Sequence, residues 1–196
     1  MTYFAAALVA YLLGSIPFGF IAGVDVRKHG SGNIGATNTL RVLGKKYGYA
    51  VFAADFLKGF VAVRLALWLA RFDSSANYLG VIAALFVVLG HSFPIWLRFR
   101  GGKGAASAAG ACLGLLPLAT LIVLTIWAGT FLVSRYVSLA SIVAAAALPL
   151  IVWLLATPLD PILLGFSCLI PALIILRHRS NIVRLVQGRE ARFQRK

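Results

Sequence analysis

The sequence predicts an all-α polytopic membrane protein: seven transmembrane helices in a single domain over residues 1–196, N-terminus outside and C-terminus cytoplasmic. Three observations carry that prediction. Hydrophobic residues make up 61% of the chain and charged residues 12%, with a mean hydropathy of +0.92, which is more apolar surface than a soluble globule of this size can cover. The apolar residues gather into stretches close to the roughly 20 residues that a helix needs to cross a bilayer. The formal charge of +14, from 19 Lys and Arg against 5 Asp and Glu, lies mostly in short segments between those stretches, as the positive-inside rule expects.

Taken in order, residues 3–24 form the first span; Met1-Thr2-Tyr3 has no positive n-region and the apolar run outlasts a signal-peptide core, so the span is read as uncleaved. Residues 48–70 carry Asp55 and Lys58 three positions apart, a pair expected to neutralise itself as structural glue, and Arg64, placed to snorkel outward. Residues 78–97 hold His91 near one end, and an ionisable group in a span is read as a site residue. The run 105–133 is too long for one span and contains Pro117, so it divides into 105–116 and 117–133; 137–155 and 159–176 follow. With seven spans, the basic residues of loops 25–47, 98–104 and 134–138 and of the tail 177–196 share the cytoplasmic side, leaving Arg71 alone outside. With six spans, Arg135 and the tail cannot lie on the side of the earlier loops. Gly19-x-x-x-Gly23 and Gly110-x-x-x-Gly114 are read as close-packing faces. Cys112 and Cys168 fall inside apolar stretches, so neither a disulfide nor a metal site is expected.

The high pI near 10.8 does not indicate a nucleic-acid partner, because bilayer-length apolar runs separate the basic clusters. Four polar segments stand out instead. Gly30-Ser31-Gly32-Asn33-Ile34-Gly35-Ala36-Thr37-Asn38, with Arg41 beyond it, fits the glycine spacing of a dinucleotide fingerprint but follows a membrane span, not a strand. What survives is an anion nest: glycines turn backbone N–H groups into a concavity, and a helix starting near Ala36-Thr37 adds its positive end, with neutral donors from Ser31, Asn33, Thr37 and Asn38. Gly90-His91-Ser92-Phe93-Pro94, running through Arg98 and Arg100 to Gly101-Gly102-Lys103-Gly104, is not a Walker motif but forms a second glycine-lysine nest. The segment from Arg135 and Tyr136 to Ser138 and Ser141, and the tail from His178 through Arg179, Ser180 and Asn181 to Arg184, complete the set. Two nests suit two phosphate-bearing ligands. There is no Asp-rich metal motif of the CDP-alcohol transferase kind and no His with an Asp five residues on, so a metal-free, cofactor-free transfer is expected.

In this order and spacing, GSGNIGATNTLR, GHSFPIWLRFRGGKG, RYVSLAS and HRSNIVRL resemble the bacterial acyl-phosphate:glycerol-3-phosphate acyltransferase family from the first span to the tail. The resemblance implies an enzyme of the cell inner membrane, its site facing the cytoplasm, that moves a fatty acyl group from acyl phosphate to the 1-hydroxyl of sn-glycerol 3-phosphate, releasing phosphate and lysophosphatidic acid. It implies phosphate binding by Gly30, Ser31, Gly32, Asn33 and Thr37 with Arg41 beside them. A second clamp is implied at Lys103 with Gly101, Gly102 and Gly104, glycerol 3-phosphate binding at Ser138, Ser141, His178 and Asn181, and an essential His91. Among these, His91, Ser31, Asn33 and Lys103 are the candidates closest to the chemistry. Partners implied are the two substrates, membrane lipid and the enzyme that forms acyl phosphate. One departure is Ser180, where the family pattern carries Glu; if that Glu orders the tail, the roles of His178 and Asn181 weaken. For the proton acceptor, either His91 or the donor's own phosphate fits, and an acylated Ser31 ranks below a binding role. An organic-anion transporter and a non-catalytic lipid-binding protein are the rival readings; few polar groups deep in the spans argue against the first, two nests against the second.

Overall fold

The computed structural model describes residues 1–21, 24–73, 75–155 and 158–193, and among them the regular structure is helical, without strands. The chain packs as two compact units, Met1–Leu115 and Leu116–Lys196.

The first unit contains α1 (Thr2–Ser15), α2 (Phe18–Ile21), α3 (Ala36–Leu43), α4 (Lys45–Leu69), α5 (Leu79–Ser92) and α6 (Ala105–Leu115), with single 3₁₀ turns at Val26–Lys28, Ala70–Phe72 and Ile95–Leu97. The expected first span 3–24 is not one continuous helix. Ile16 takes φ −60° and ψ 115°, the extended conformation forced on a residue before proline, so α1 stops one residue before Ile16-Pro17. Packing is set by small residues that admit a neighbouring backbone. A Cβ on Gly14 would strike the Val87 carbonyl and one on Gly90 the Tyr11 carbonyl, so α1 and α5 cross backbone to backbone; Gly59 against Ser107 and Gly110 against Phe56 do the same for α4 and α6. Gly110 and Gly114 thus act as the close-packing face expected of them, and Gly19 lies against the Ile34 carbonyl; its motif mate Gly23 lies outside the described residues. Tyr11 adds a hydrogen bond from its hydroxyl to the Phe93 carbonyl at 2.8 Å.

The second unit is an antiparallel series of α7 (Pro117–Ser134), α8 (Val137–Leu155) and α9 (Pro161–Arg177), closed by a short amphipathic α10 (Arg179–Val186). The expected break at Leu116-Pro117 is present, with Pro117 as the first residue of α7, where its missing N–H costs nothing. Asp160 caps α9, accepting from the Ile162 and Leu163 N–H groups. α10 turns 60° away from α9, leaving Val183 and Val186 exposed beside Arg179 and Arg189.

By length and composition, Thr2–Phe20, Leu79–Leu97, Pro117–Ser134 and Val137–Leu155 can each cross a membrane, and α9 with α10 makes a bent fifth candidate. α4 is longer than any of these but carries charges, and α6 has 11 residues. The helices expose Leu, Phe, Trp and Val broadly, Phe4, Phe52, Trp68, Leu121, Leu132, Trp153 and Leu169 among them, the surface of a multi-pass membrane protein rather than of one bathed in water.

Candidate active site

The segment between the first and second apolar stretches folds around one amide. Asn38, on the first turn of α3 and almost fully buried, accepts the Ser31 N–H on Oδ1 at 2.8 Å and donates from Nδ2 to the carbonyls of Val26 (2.9 Å), His29 (3.1 Å) and Asn33 (2.9 Å). Asn38 is therefore the loop's internal strut and not the ligand donor the sequence suggested. Its position explains Gly30, which has φ +58° and whose Cβ would fall on Asn38 Oδ1. Asn33 Oδ1 accepts the Gly35 N–H at 2.8 Å, closing an Asx turn just before α3. The helix starts at Ala36, as expected, and no side chain caps it. Ser31 and Gly32 stay exposed, Asn33 and Thr37 half-buried, and Arg41 exposed one turn on. Beside the loop, Arg27 hydrogen-bonds Asp25 at 2.8 Å and holds that carboxyl below its ordinary range.

The second nest rests on α5. After Pro94 the chain reverses through Arg98 and Phe99, two successive non-glycine residues in the left-handed region (φ +51° and +62°), at roughly 1–3 kcal/mol each. The reversal lays the glycines against the helix end: Gly101 N–H donates to the Ser92 carbonyl at 3.2 Å and Gly102 N–H to the His91 carbonyl at 3.1 Å. Gly102 abuts the Nε2 edge of the His91 ring, where a side chain would fall on Nε2. Gly104 (φ +83°) then launches α6, with Lys103 half-buried between the two glycines.

The Nδ1 edge of His91 meets the residues predicted to be structural glue. Nδ1 lies 3.3 Å from Asp55 Oδ1, and the same oxygen lies 2.7 Å from Lys58 Nζ. Lys58 donates to the Ile16 carbonyl at 2.9 Å and sits over the Phe18 ring. All three side chains are at most 5% exposed. The carboxylate beside His91 lies 36 positions away in the sequence, beyond any local spacing motif; the signal for it is that Asp55, Lys58 and His91 are charged or titratable groups in neighbouring apolar stretches, and buried charges seek each other.

In the second unit the organising residue is Glu190, a buried acid in the otherwise basic tail. Glu190 Oε1 accepts the Ser138 hydroxyl at 2.7 Å and Asn181 Nδ2 at 2.7 Å; Oε2 accepts Arg184 Nε at 2.7 Å. Burial opposes the ionised form, but these three hydrogen bonds outweigh it and hold the carboxyl below its ordinary range. The residues that follow return to the start of α8: Phe193 N–H donates to the Arg135 carbonyl at 2.8 Å and Arg192 Nε to the Tyr136 hydroxyl at 3.0 Å. Ser138 and Asn181 are thereby brought together. Ser141 is not part of the cluster: its hydroxyl donates to the Val137 carbonyl and accepts from Trp127 Nε1. His178 is buried, its Nδ1 2.8 Å from the Ile174 carbonyl, which leaves Nε2 as the acceptor nitrogen. Tail order, which Ser180 put in doubt, comes from an acid ten residues further on. The tail charges Arg195 and Lys196 lie outside the described residues. Among the described residues, no three His, Cys, Asp or Glu side chains group as metal ligands.

Comparison with known proteins converges on one family. The family model for glycerol-3-phosphate acyltransferase matches residues 4–188. A glycerol-3-phosphate acyltransferase of Desulforamulus reducens is 47% identical over 192 residues, covering 95% of this chain and 93% of that protein. One of Aquifex aeolicus is 46% identical over 190 residues, covering 95% and 96%. Among solved structures, PlsY (YgiH), an integral membrane glycerol 3-phosphate acyltransferase, matches in its glycerol 3-phosphate form with a TM-score of 0.90 and 43% identity, covering 99% of this chain and 96% of that one. Its lysophosphatidic acid form matches with a TM-score of 0.87 and 42% identity. This chain belongs to the glycerol-3-phosphate acyltransferase family.

Proposed function

We propose that this protein transfers a fatty acyl group from acyl phosphate to the 1-hydroxyl of sn-glycerol 3-phosphate, giving lysophosphatidic acid and inorganic phosphate without metal or cofactor. The observation that carries the reading is the near full-length likeness to PlsY in forms holding glycerol 3-phosphate and lysophosphatidic acid, the acceptor before and after acylation. Acyl phosphate as donor is supported by the motif resemblance and by two glycine-rich turns that carry the cations Arg41 and Lys103.

In the proposed division of labour, the Gly30–Thr37 loop offers its backbone, Ser31, Asn33 and Thr37 to a phosphate, with Arg41 supplying fixed charge. Lys103, presented by the turn of Gly101, Gly102 and Gly104 that is bonded to the end of α5, forms the second clamp. In the second unit, Ser138, His178 and Asn181 bind glycerol 3-phosphate, oriented by Glu190, while Ser141 supports the start of α8. Acyl phosphate is already activated, so the protein needs only to orient the hydroxyl and stabilise charge on the carbonyl oxygen and departing phosphate. The hydroxyl oxygen bonds the acyl carbon, the carbon–oxygen bond to phosphate breaks, and the proton passes to the phosphate. His91 is buried, with Nδ1 toward Asp55 and Nε2 on Gly102, an arrangement that favours the donor phosphate as proton acceptor and gives His91 a positioning role. His91→Gln then lowers turnover without abolishing it. Direct transfer from Ser31 is disfavoured, since Ser31 has no paired base in the loop.

The proposed topology has seven crossings in the cell inner membrane, N-terminus outside and motif loops in the cytoplasm. The basic residues between helices support this sidedness. The acyl chain enters sideways from the bilayer, and the enzyme that forms acyl phosphate is the expected supplier of the donor. The test is a proteoliposome assay with palmitoyl phosphate and labelled glycerol 3-phosphate. Label recovered as lysophosphatidic acid supports the proposal; label accumulating unmodified inside the vesicles supports an organic-anion transporter instead.

A further inference from the structure

We propose that Asp55 is a positioning residue for the Lys103 turn, acting through the His91 ring, with Lys58 fixing Asp55 in place; the kinetic consequence rests on the acyltransferase reading above. Neither Asp55 nor Lys58 belongs to the four motif segments, and nothing in the reaction calls for an ion pair inside α4. A buried pair that served only to join helices would need no third partner. Here the carboxylate oxygen that meets Lys58 at 2.7 Å also faces His91 Nδ1 at 3.3 Å. The ammonium is in turn anchored, 2.9 Å from a carbonyl at the break between α1 and α2. The ring whose Nδ1 the carboxylate faces meets Gly102 at its opposite nitrogen, Nε2, and the His91 backbone carbonyl holds the Gly102 N–H.

The consequence is a relay of position. The fixed break at Pro17 places Lys58, Lys58 places the Asp55 carboxylate, and the carboxylate, 3.3 Å from His91 Nδ1, favours by charge attraction the tautomer with its proton there. The Nε2 edge of the ring and the His91 carbonyl set the position of Gly102 and hence of Lys103. A ring free to rotate would lift Gly102, because no space separates them. The reversal through Arg98 and Phe99 is strained, so without the ring beneath it the turn has lower-energy conformations available.

The test separates positioning from bulk. Asp55→Leu with Lys58→Met removes both charges together and leaves no uncompensated ion, but gives His91 no acceptor. Asp55→Asn with Lys58→Met restores an acceptor oxygen without restoring charge. The expected result is about a 50-fold loss of kcat/KM for the Leu version and recovery to within about fivefold of wild type for the Asn version. In a His91→Gln background the Leu version adds less than about a twofold further loss, because its route runs through the ring. Equal activity of the Leu and Asn versions, or losses that multiply in the His91→Gln background, overturns the proposal. Should the Leu version not fold, ¹⁵N spectra of the histidine-labelled wild type decide: a proton on His91 Nδ1 is expected, and an unprotonated Nδ1 overturns it. Those spectra need no turnover. A wild-type protein that makes no lysophosphatidic acid but shows the Nδ1 proton refutes the acyltransferase reading and leaves the positional relay standing.

Discussion

The two polar clusters are built on opposite principles. In the first unit, the Gly30–Asn38 loop is shaped by backbone, with positive-φ glycines and one neutral amide that satisfies an N–H and three carbonyls. In the second, side chains from α8 and α10 and the residues beyond are gathered by a carboxylate. A nest of N–H groups keeps its shape at any pH that leaves the chain folded, whereas a carboxylate hub holds only while ionised. The first cluster is therefore sensitive to added side-chain volume, and the second to charge.

The largest expected effect is on volume. Gly102→Ala puts a methyl group where His91 Nε2 lies, and because the ring is buried it cannot yield; kcat/KM should fall by about 100-fold or more, against a nearly normal value for alanine at Gly129, around which nothing lies within 4 Å. Tolerance of Gly102→Ala would break the account of the second nest. Next comes Asn38→Asp, close in size but unable to donate: the carbonyls of Val26, His29 and Asn33 lose their partner, at about 1–3 kcal/mol for the buried groups. Detergent thermal melts should show a lower midpoint and kcat/KM should drop; an unchanged midpoint would mean the loop does not depend on its strut.

Glu190→Gln sharpens the other half of the comparison. Gln can still accept from Ser138 or Asn181 but loses the charge that Arg184 meets, so a loss of about 1–2 kcal/mol is expected. The sign of the pH effect follows from the depressed carboxyl. A group whose folded value lies below its unfolded one, near 4.5, stabilises the fold fully above that unfolded value, and its contribution is lost as pH falls through the folded value. Acid should thus weaken the wild-type tail below about pH 4.5, read by protease sensitivity of residues 179–193, and Glu190→Gln should flatten that part of the profile. The smallest effect is expected from Ser180→Glu, the residue the motif resemblance implies at this position: with Glu190 already binding Asn181 and Arg184, kcat/KM should change less than about twofold.

Much of the fold was legible because it is written in apolar run length and proline. The span 137–155 coincides with α8 (Val137–Leu155), and Pro117 divides 105–133 where expected. The break inside the first span was not legible because hydropathy is blind to the conformational demand of Pro17, and α10 was read as a basic tail because its apolar face is only two turns long. Within the site, glycine positions were legible and their partners were not. Gly30 and Gly102 announce tight backbone, but which side chain fills the space depends on distant sequence, Asn38 for one and His91 for the other. Asp55 and Glu190 escaped for a shared reason: each completes a cluster across 36 and 52 residues respectively, separations at which no local spacing rule operates.

The central claim, transfer from acyl phosphate by a metal-independent route, is tested most directly by supplying the purified protein with glycerol 3-phosphate and either palmitoyl phosphate or palmitoyl-CoA, in EDTA, and measuring lysophosphatidic acid and released phosphate together. The account predicts equal amounts of the two products from palmitoyl phosphate and none from palmitoyl-CoA. Lysophosphatidic acid formed from palmitoyl-CoA, or activity abolished by EDTA, would contradict it.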